Sequence, residues 1–275
     1  LGSRLGHGSQ PAFAQLGAMP TFQNEGATLY YEVHGVGFPV LLFAPGGLQS
    51  QIAYWQDAIA GLSPHFQVIV MDQRNATARS TAPITAEDGW HVYTSDHLAL
   101  LDHLGVQRCH VMGMCIGPSF ALALMKVAPG RVAAATFVQP IGLAPECEAE
   151  GIPAPDNLQF FYESFEEWAA KCAQGVDAAV LQAFRERMYK DGFVFSVSEA
   201  DVAAMPHPMI VWMGSDKHHP SFTSRRLAEV APNAELVEEW KSPEALGPAF
   251  GKVLAFFRMH AQAVPEAPRR RCSCM

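Results

Sequence analysis

The chain has 275 residues, the size of one large domain. Hydrophobic residues make up 49% and charged residues 17%, a balance that excludes a disordered chain. The net charge of -8 argues against an electrostatic grip on nucleic acid or anionic lipid.

No apolar run approaches the ~20 residues that a membrane-spanning helix needs, so no membrane partner is expected. Six cysteines without metal spacing read as free thiols in a reducing, cytoplasmic setting. No metal or other cofactor is expected either. Residues 1–20 and 265–275 read as tails. The closing Cys272-Ser273-Cys274-Met275, after three arginines, fits a prenylation box formally but reads as a frayed end.

Between the tails the pattern alternates. Thr28–His34 has the period of a half-exposed strand, and Gly35-Val36-Gly37 reads as a hairpin-like turn after it. Val40–Ala44 is a buried strand that runs into Pro45-Gly46-Gly47. Phe66–Met71 is another, ending at Asp72. His91–Leu104 carries leucines at helical spacing until Gly105. Cys109–Met114 and Val132–Val138 are buried strands flanking a helical run, Ser119–Val127. Met209–Met213 and Glu235–Trp240 are two more strands, and Pro243–His260 is a closing amphipathic helix. Continuous apolar strands separated by helices predict an α/β fold with a mostly parallel, doubly wound sheet. Ligands bind such sheets at the carboxyl ends of the strands.

Residues 143–205 break the rhythm. Phe161, Phe165 and Trp168 share one helix face, and Val180, Phe184 and Met188 share another. The segment reads as a helical cap inserted into a core formed by residues 21–142 and 206–264. Most of its aromatic residues are expected to pack the cap onto that core, with one or two left for a pocket.

Gly113-Met114-Cys115-Ile116-Gly117 lies between a buried strand and a helix. A glycine-flanked nucleophile in that context has the form of a nucleophile elbow. Its central residue adopts a strained backbone, and side chains two before and two after would collide with neighbouring elements. The Cys115 side chain then projects above the sheet, and the Ile116 N–H points at any oxyanion formed there. A thiol at a helix N-terminus is expected to have a lowered pKa and to depend less on a strong base than a hydroxyl does.

With this motif the chain resembles the α/β-hydrolase superfamily across roughly residues 21–263. The resemblance implies a second oxyanion donor in Ala44-Pro45-Gly46-Gly47-Leu48, assigned to the Gly47 N–H. It aligns Asp72-Gln73-Arg74 with a loop whose glycines are lost here and whose role is read as structural. It makes Asp216, in Gly214-Ser215-Asp216, the residue that would orient a base, although Asp216 could instead cap the helix near Phe222. The family's histidine is missing: the loop after the last strand reads Glu239-Trp240-Lys241-Ser242-Pro243. His219 is taken as the base, with His218 and His91 as the other candidates. Leu48, Trp90, His91, Phe161, Trp168 and His218 are the expected substrate-facing positions.

Cysteine elbows of this kind are similar to those of dienelactone hydrolases and of the much longer polyhydroxyalkanoate synthases. The implied reaction is hydrolysis of a small activated ester, thioester or lactone through a thioacyl intermediate on Cys115. A non-catalytic binding protein on the same fold is the alternative, and acyl transfer comes third. The expected partner is a small acyl substrate, and a homodimer is compatible with the sequence.

Overall fold

A computed structural model describes residues 19–143, 154–190 and 193–261, with side chains described from residue 158 in the second segment. Most of both expected tails, Cys147 and the start of the expected cap lie outside them. Eight strands form one sheet: β1 Thr21–Asn24, β2 Ala27–His34, β3 Pro39–Phe43, β4 Gln67–Met71, β5 Cys109–Met114, β6 Val132–Val138, β7 Met209–Trp212 and β8 Ala234–Val237. Their order is β1-β2-β4-β3-β5-β6-β7-β8. β2 pairs antiparallel with both β1 and β4, and every pairing from β4 to β8 is parallel.

Alternation along each strand divides the core. In β3, Leu41 and Phe43 enter one apolar cluster while Val40 and Leu42 enter the other. β4 does the same with Ile69 and Met71 against Val68 and Val70. The first cluster lies under α2 (Trp90–His103) and α3 (Gly117–Val127), and cap residues join it. The second lies under α1 (Gln56–Leu62) and α8 (Pro243–His260). The cap contributes α4 (Ala154–Cys172) and α5 (Ala178–Tyr189). The short α6 (Glu199–Ala203) follows, and α7 (Ser221–Val230) connects β7 to β8.

Three readings of the sequence change. The Gly35-Val36-Gly37 turn does not close a hairpin, because β4 lies between β2 and β3. Gly35 is needed for another reason: its φ is 71°, and a Cβ there would stand 2.1 Å from the Ser63 carbonyl oxygen. The last strand stops at Val237, so Trp240 belongs to the following loop. Its indole Nε1 donates to the Met213 carbonyl at 2.8 Å, which anchors that loop back onto β7. Finally, β1 and α1 were not anticipated, since short elements carry too few residues to show a period.

The Asp72-Gln73-Arg74 loop ties the fold together. Arg74 holds the buried Asp96 through two hydrogen bonds of 2.7 and 2.8 Å. Asp72 accepts from the Ile52 N–H, the Thr77 hydroxyl and the Arg79 guanidinium. His97 bonds Gln73 at 2.8 Å, and burial drives its pKa down to about 3. His110 stacks on Phe257 at 4.5 Å, and burial lowers its pKa to about 4.

Candidate active site

Local sterics impose the turn at Cys115. Its φ is 62°, a conformation that costs a non-glycine residue on the order of 1–3 kcal/mol. A Cβ on Gly113 would lie 2.4 Å from the Gly117 carbonyl carbon, and one on Gly117 would lie 2.3 Å from the Phe43 carbonyl oxygen. Both contacts are with backbone, which has nowhere to go. The Cys115 N–H donates to Val138 at 3.0 Å, and its carbonyl accepts from Ile141 at 3.2 Å. The residue is thereby fixed across the ends of β5 and β6.

The backbone N–H groups of Gly46, Ile116 and Gly47 lie near the sulfur and favour its ionised form. Gly47 and Ile116 are the expected donors, and Gly46 is an addition. Gly46 and Gly47 have φ values of 115° and 59°, and a Cβ on Gly46 would strike the Tyr54 ring at 2.8 Å. The electrostatic expectation is corrected here. Burial pushes the Cys115 thiol up, the nearby Asp216 charge adds to this, and the three N–H groups only partly offset it. The resting sulfur is therefore a thiol at neutral pH.

Asp216 and His219 meet in the loop after β7. The His219 Nδ1 lies 2.8 and 3.0 Å from the two Asp216 carboxylate oxygens. The same carboxylate accepts the backbone N–H groups of His218 and His219, each at 3.0 Å. Asp216 thus closes its own turn, while α7 begins behind Pro220 without a side-chain cap. Burial lowers the His219 pKa, the Asp216 hydrogen bond and charge oppose this, and Lys241 adds to the lowering. For Asp216 burial acts upward, but the His219 contacts bring the carboxyl below its ordinary value. A neutral imidazole with its Nδ1–H on Asp216 leaves a lone pair on Nε2. That atom is buried and has no hydrogen-bond partner among the described residues.

Gly47, Cys115, Phe161, His218 and His219 line one cavity of about 430 Å³. The other expected contact residues do not line it. Leu48 is buried beneath the turn, and Trp90 donates its indole N–H to the Met188 carbonyl. Trp168 donates to the Asn75 carbonyl at 2.9 Å and is 1% exposed. His91 borders a separate surface hollow beside Asn24 and Ser95. The sequence reading missed Phe160, Ser164, Lys171 and Tyr189, which do line the cavity. Phe160, Ser164 and Lys171 follow helical spacing on α4, one step round from Phe165 and Trp168. The larger aromatics face the core, and this mixed face is left for the cavity.

The family follows from comparison. The alpha/beta hydrolase fold family matches residues 39–205, more than half of the chain. The chain belongs to that family. Among curated relatives of this alpha/beta hydrolase, a protein of Azorhizobium caulinodans is 36% identical over 120 residues, 44% of each chain. One of Variovorax paradoxus is 33% identical over 111 residues, 40% of this chain and 41% of its own. Both bear the name of a carbamate hydrolase, RutD. The match therefore spans less than half the length of these relatives. Solved structures extend the likeness of the fold. The meta-cleavage product hydrolase of Pseudomonas fluorescens superimposes with a TM-score of 0.63 at 19% identity, over 87% of this chain and 97% of its own. The enol-lactonase of Burkholderia xenovorans gives 0.60 at 21% identity, over 86% of this chain and all of its own. Among the described residues, no helix is long and apolar enough to cross a membrane.

Proposed function

We propose that the protein hydrolyses a small activated acyl compound (an ester, thioester or lactone) through a thioacyl intermediate on Cys115. One observation carries the reading. A strained, glycine-flanked thiol and a carboxylate-held imidazole with an unoccupied Nε2 line the same cavity. Because the thiol is raised and the imidazole lowered, no ion pair forms at rest. The proton leaves sulfur as sulfur attacks, which is general-base catalysis.

In the first half-reaction the sulfur bonds to the carbonyl carbon while His219 Nε2 takes the thiol proton. The Gly47 and Ile116 N–H groups hold the oxyanion, with Gly46 beside them. The bond to the leaving group breaks, and His219 returns the proton to it. Water then attacks the thioester while His219 takes a proton from it. The carbon–sulfur bond breaks, the acid departs and the thiol is restored. Phe160 and Phe161 offer the apolar wall for the acyl group. The names of the partial relatives bring carbamates into the range of substrates worth testing.

The decisive experiment offers an aryl ester, an aryl thioester, an aromatic lactone and an aryl carbamate to wild type and Cys115→Ala. Turnover of at least one, lost in the variant, with an acyl adduct on Cys115 by mass spectrometry, is the expected result. No turnover and no adduct with any of the four would favour a non-catalytic ligand-binding protein. The raised thiol and the absence of histidine from the loop after β8 speak for that second reading.

A further inference from the structure

Tyr189 has no part in the reaction as written, yet it lines the cavity with Cys115. It is the last residue of α5 and is 1% exposed. Three phenylalanines hold its ring. Phe161 stacks on it with centroids 5.8 Å apart, and Phe195 and Phe165 meet it edge-on at 5.3 and 6.5 Å. The phenolic C–O bond lies along the ring axis, so ring flips leave the hydroxyl in place.

This hydroxyl makes no hydrogen bond among the described residues. The Tyr93 hydroxyl is also unpaired, but it is sealed in the core. The Tyr189 oxygen is not among the sealed atoms and opens onto the cavity. A buried phenol ordinarily finds a partner, so an unpaired one in a cavity wall is set for an acceptor on a guest. Burial raises the pKa of the phenol, and the charge of Cys115 adds to this. The group therefore stays protonated and serves as a donor, never as a base. That the Cys115 charge reaches it also places the hydroxyl near the sulfur.

This nearness narrows the choice of acceptor. In the thioacyl intermediate the carbonyl carbon is bonded to sulfur, and the Gly47 and Ile116 N–H groups hold its oxygen. His219 serves the thiol proton and the leaving group. The next atoms within reach are those on the neighbouring carbon of the acyl chain, along the Phe161 wall against which Tyr189 packs.

We propose that Tyr189 is a substrate-binding residue that sets specificity. Its hydroxyl donates to an oxygen carried on the carbon next to the carbonyl, so the site prefers 2-alkoxyacyl thioesters and esters to their plain-chain counterparts. The proposal rests on the hydrolase reading of Cys115.

The test pairs S-phenyl methoxythioacetate with S-phenyl thiobutyrate, which differ by an ether oxygen in place of a methylene. Values of kcat/KM are measured for both with wild type and Tyr189→Phe. Comparing each substrate with itself across the two proteins cancels the greater intrinsic reactivity of the ether. The variant should lower the methoxyacetyl value about five- to tenfold, the worth of one hydrogen bond, and leave the butanoyl value within about twofold. No protein hydrogen bond is lost, so the urea midpoint should not fall. Equal losses for both substrates would assign the hydroxyl to the oxyanion or to packing, and unchanged values for both would leave it without a contact. Either result overturns the assignment. If wild type turns over neither thioester, the hydrolase reading fails, and binding of the same pair to Cys115→Ala, with and without Tyr189→Phe, decides. A preference for the ether that Tyr189→Phe abolishes would uphold the hydroxyl as the group that reads the oxygen. Without that preference, both readings fall.

Discussion

The loop after β5 and the loop after β7 supply the two halves of the candidate site, and they are built on different physics. The elbow is imposed by hard contacts: remove a glycine and backbone strikes backbone. The base loop is drawn together by one carboxylate that accepts three donors: the N–H groups of His218 and His219 and the His219 imidazole. The Asp216 side chain is 45% exposed, so these bonds compete with water. A nucleophile held by sterics has one position. A base held by polar bonds to a half-exposed carboxylate can lose its orientation without loss of the fold. The division suggests that stability and catalysis respond to mutation at different places.

The sharpest way to break that contrast is Gly113→Ala. The added methyl sits 2.4 Å from backbone, so a loss of about 3 kcal/mol or more is expected, read as a collapse of the urea midpoint. An alanine variant with near-normal stability would mean that the elbow is not sterically closed.

Asp216→Asn is the matching test of the other loop. The midpoint should move by less than about 1 kcal/mol, because the site is half exposed and an amide oxygen can still accept. Turnover should fall by about 10²- to 10⁴-fold, because the imidazole loses its tautomer and its counter-charge. Unchanged turnover would remove Asp216 from the mechanism and leave it as a turn residue.

The two loops also titrate in opposite directions. The proposed mechanism needs neutral His219, whose pKa is lowered, so kcat/KM should fall only as the pH drops below 6.5. Iodoacetamide labelling of Cys115 needs the thiolate, whose pKa is raised, so its midpoint should lie above 9.0. Labelling that saturates near neutral pH would indicate a resting ion pair and reverse the order of proton transfer argued above.

The smallest effect is expected at Lys241. Its ammonium lies 3.9 Å from Asp216 and bonds the Ser215 hydroxyl, and its charge helps to lower His219. Lys241→Met should raise the acid limb of the rate profile slightly and change stability little. An unmoved limb would mean that solvent screens the charge completely.

Part of this architecture is legible in the order of the amino acids alone. The alternation of buried strands and helices determined a mostly parallel sheet, since each element's pattern reports its own burial. Gly113-Met114-Cys115-Ile116-Gly117 determined the elbow, because its constraints span five residues and are met locally. The same holds for Gly214-Ser215-Asp216, which placed a carboxylate at the end of β7. Tertiary structure decided the rest. Which histidine meets Asp216 depends on a loop conformation that hydrogen bonds select among near-equivalents, and His91 and His219 look alike in sequence. Helix α4 shows an aromatic face and a mixed face, and periodicity cannot say which one the core takes. The core took Phe165 and Trp168, whose burial removes the most apolar area from water, and the cavity kept Phe160, Ser164 and Lys171. The thiol's pKa departs from its expected direction for a related reason: the helix N-terminus is written in the sequence, but the depth of burial that outweighs it is a property of the folded surroundings.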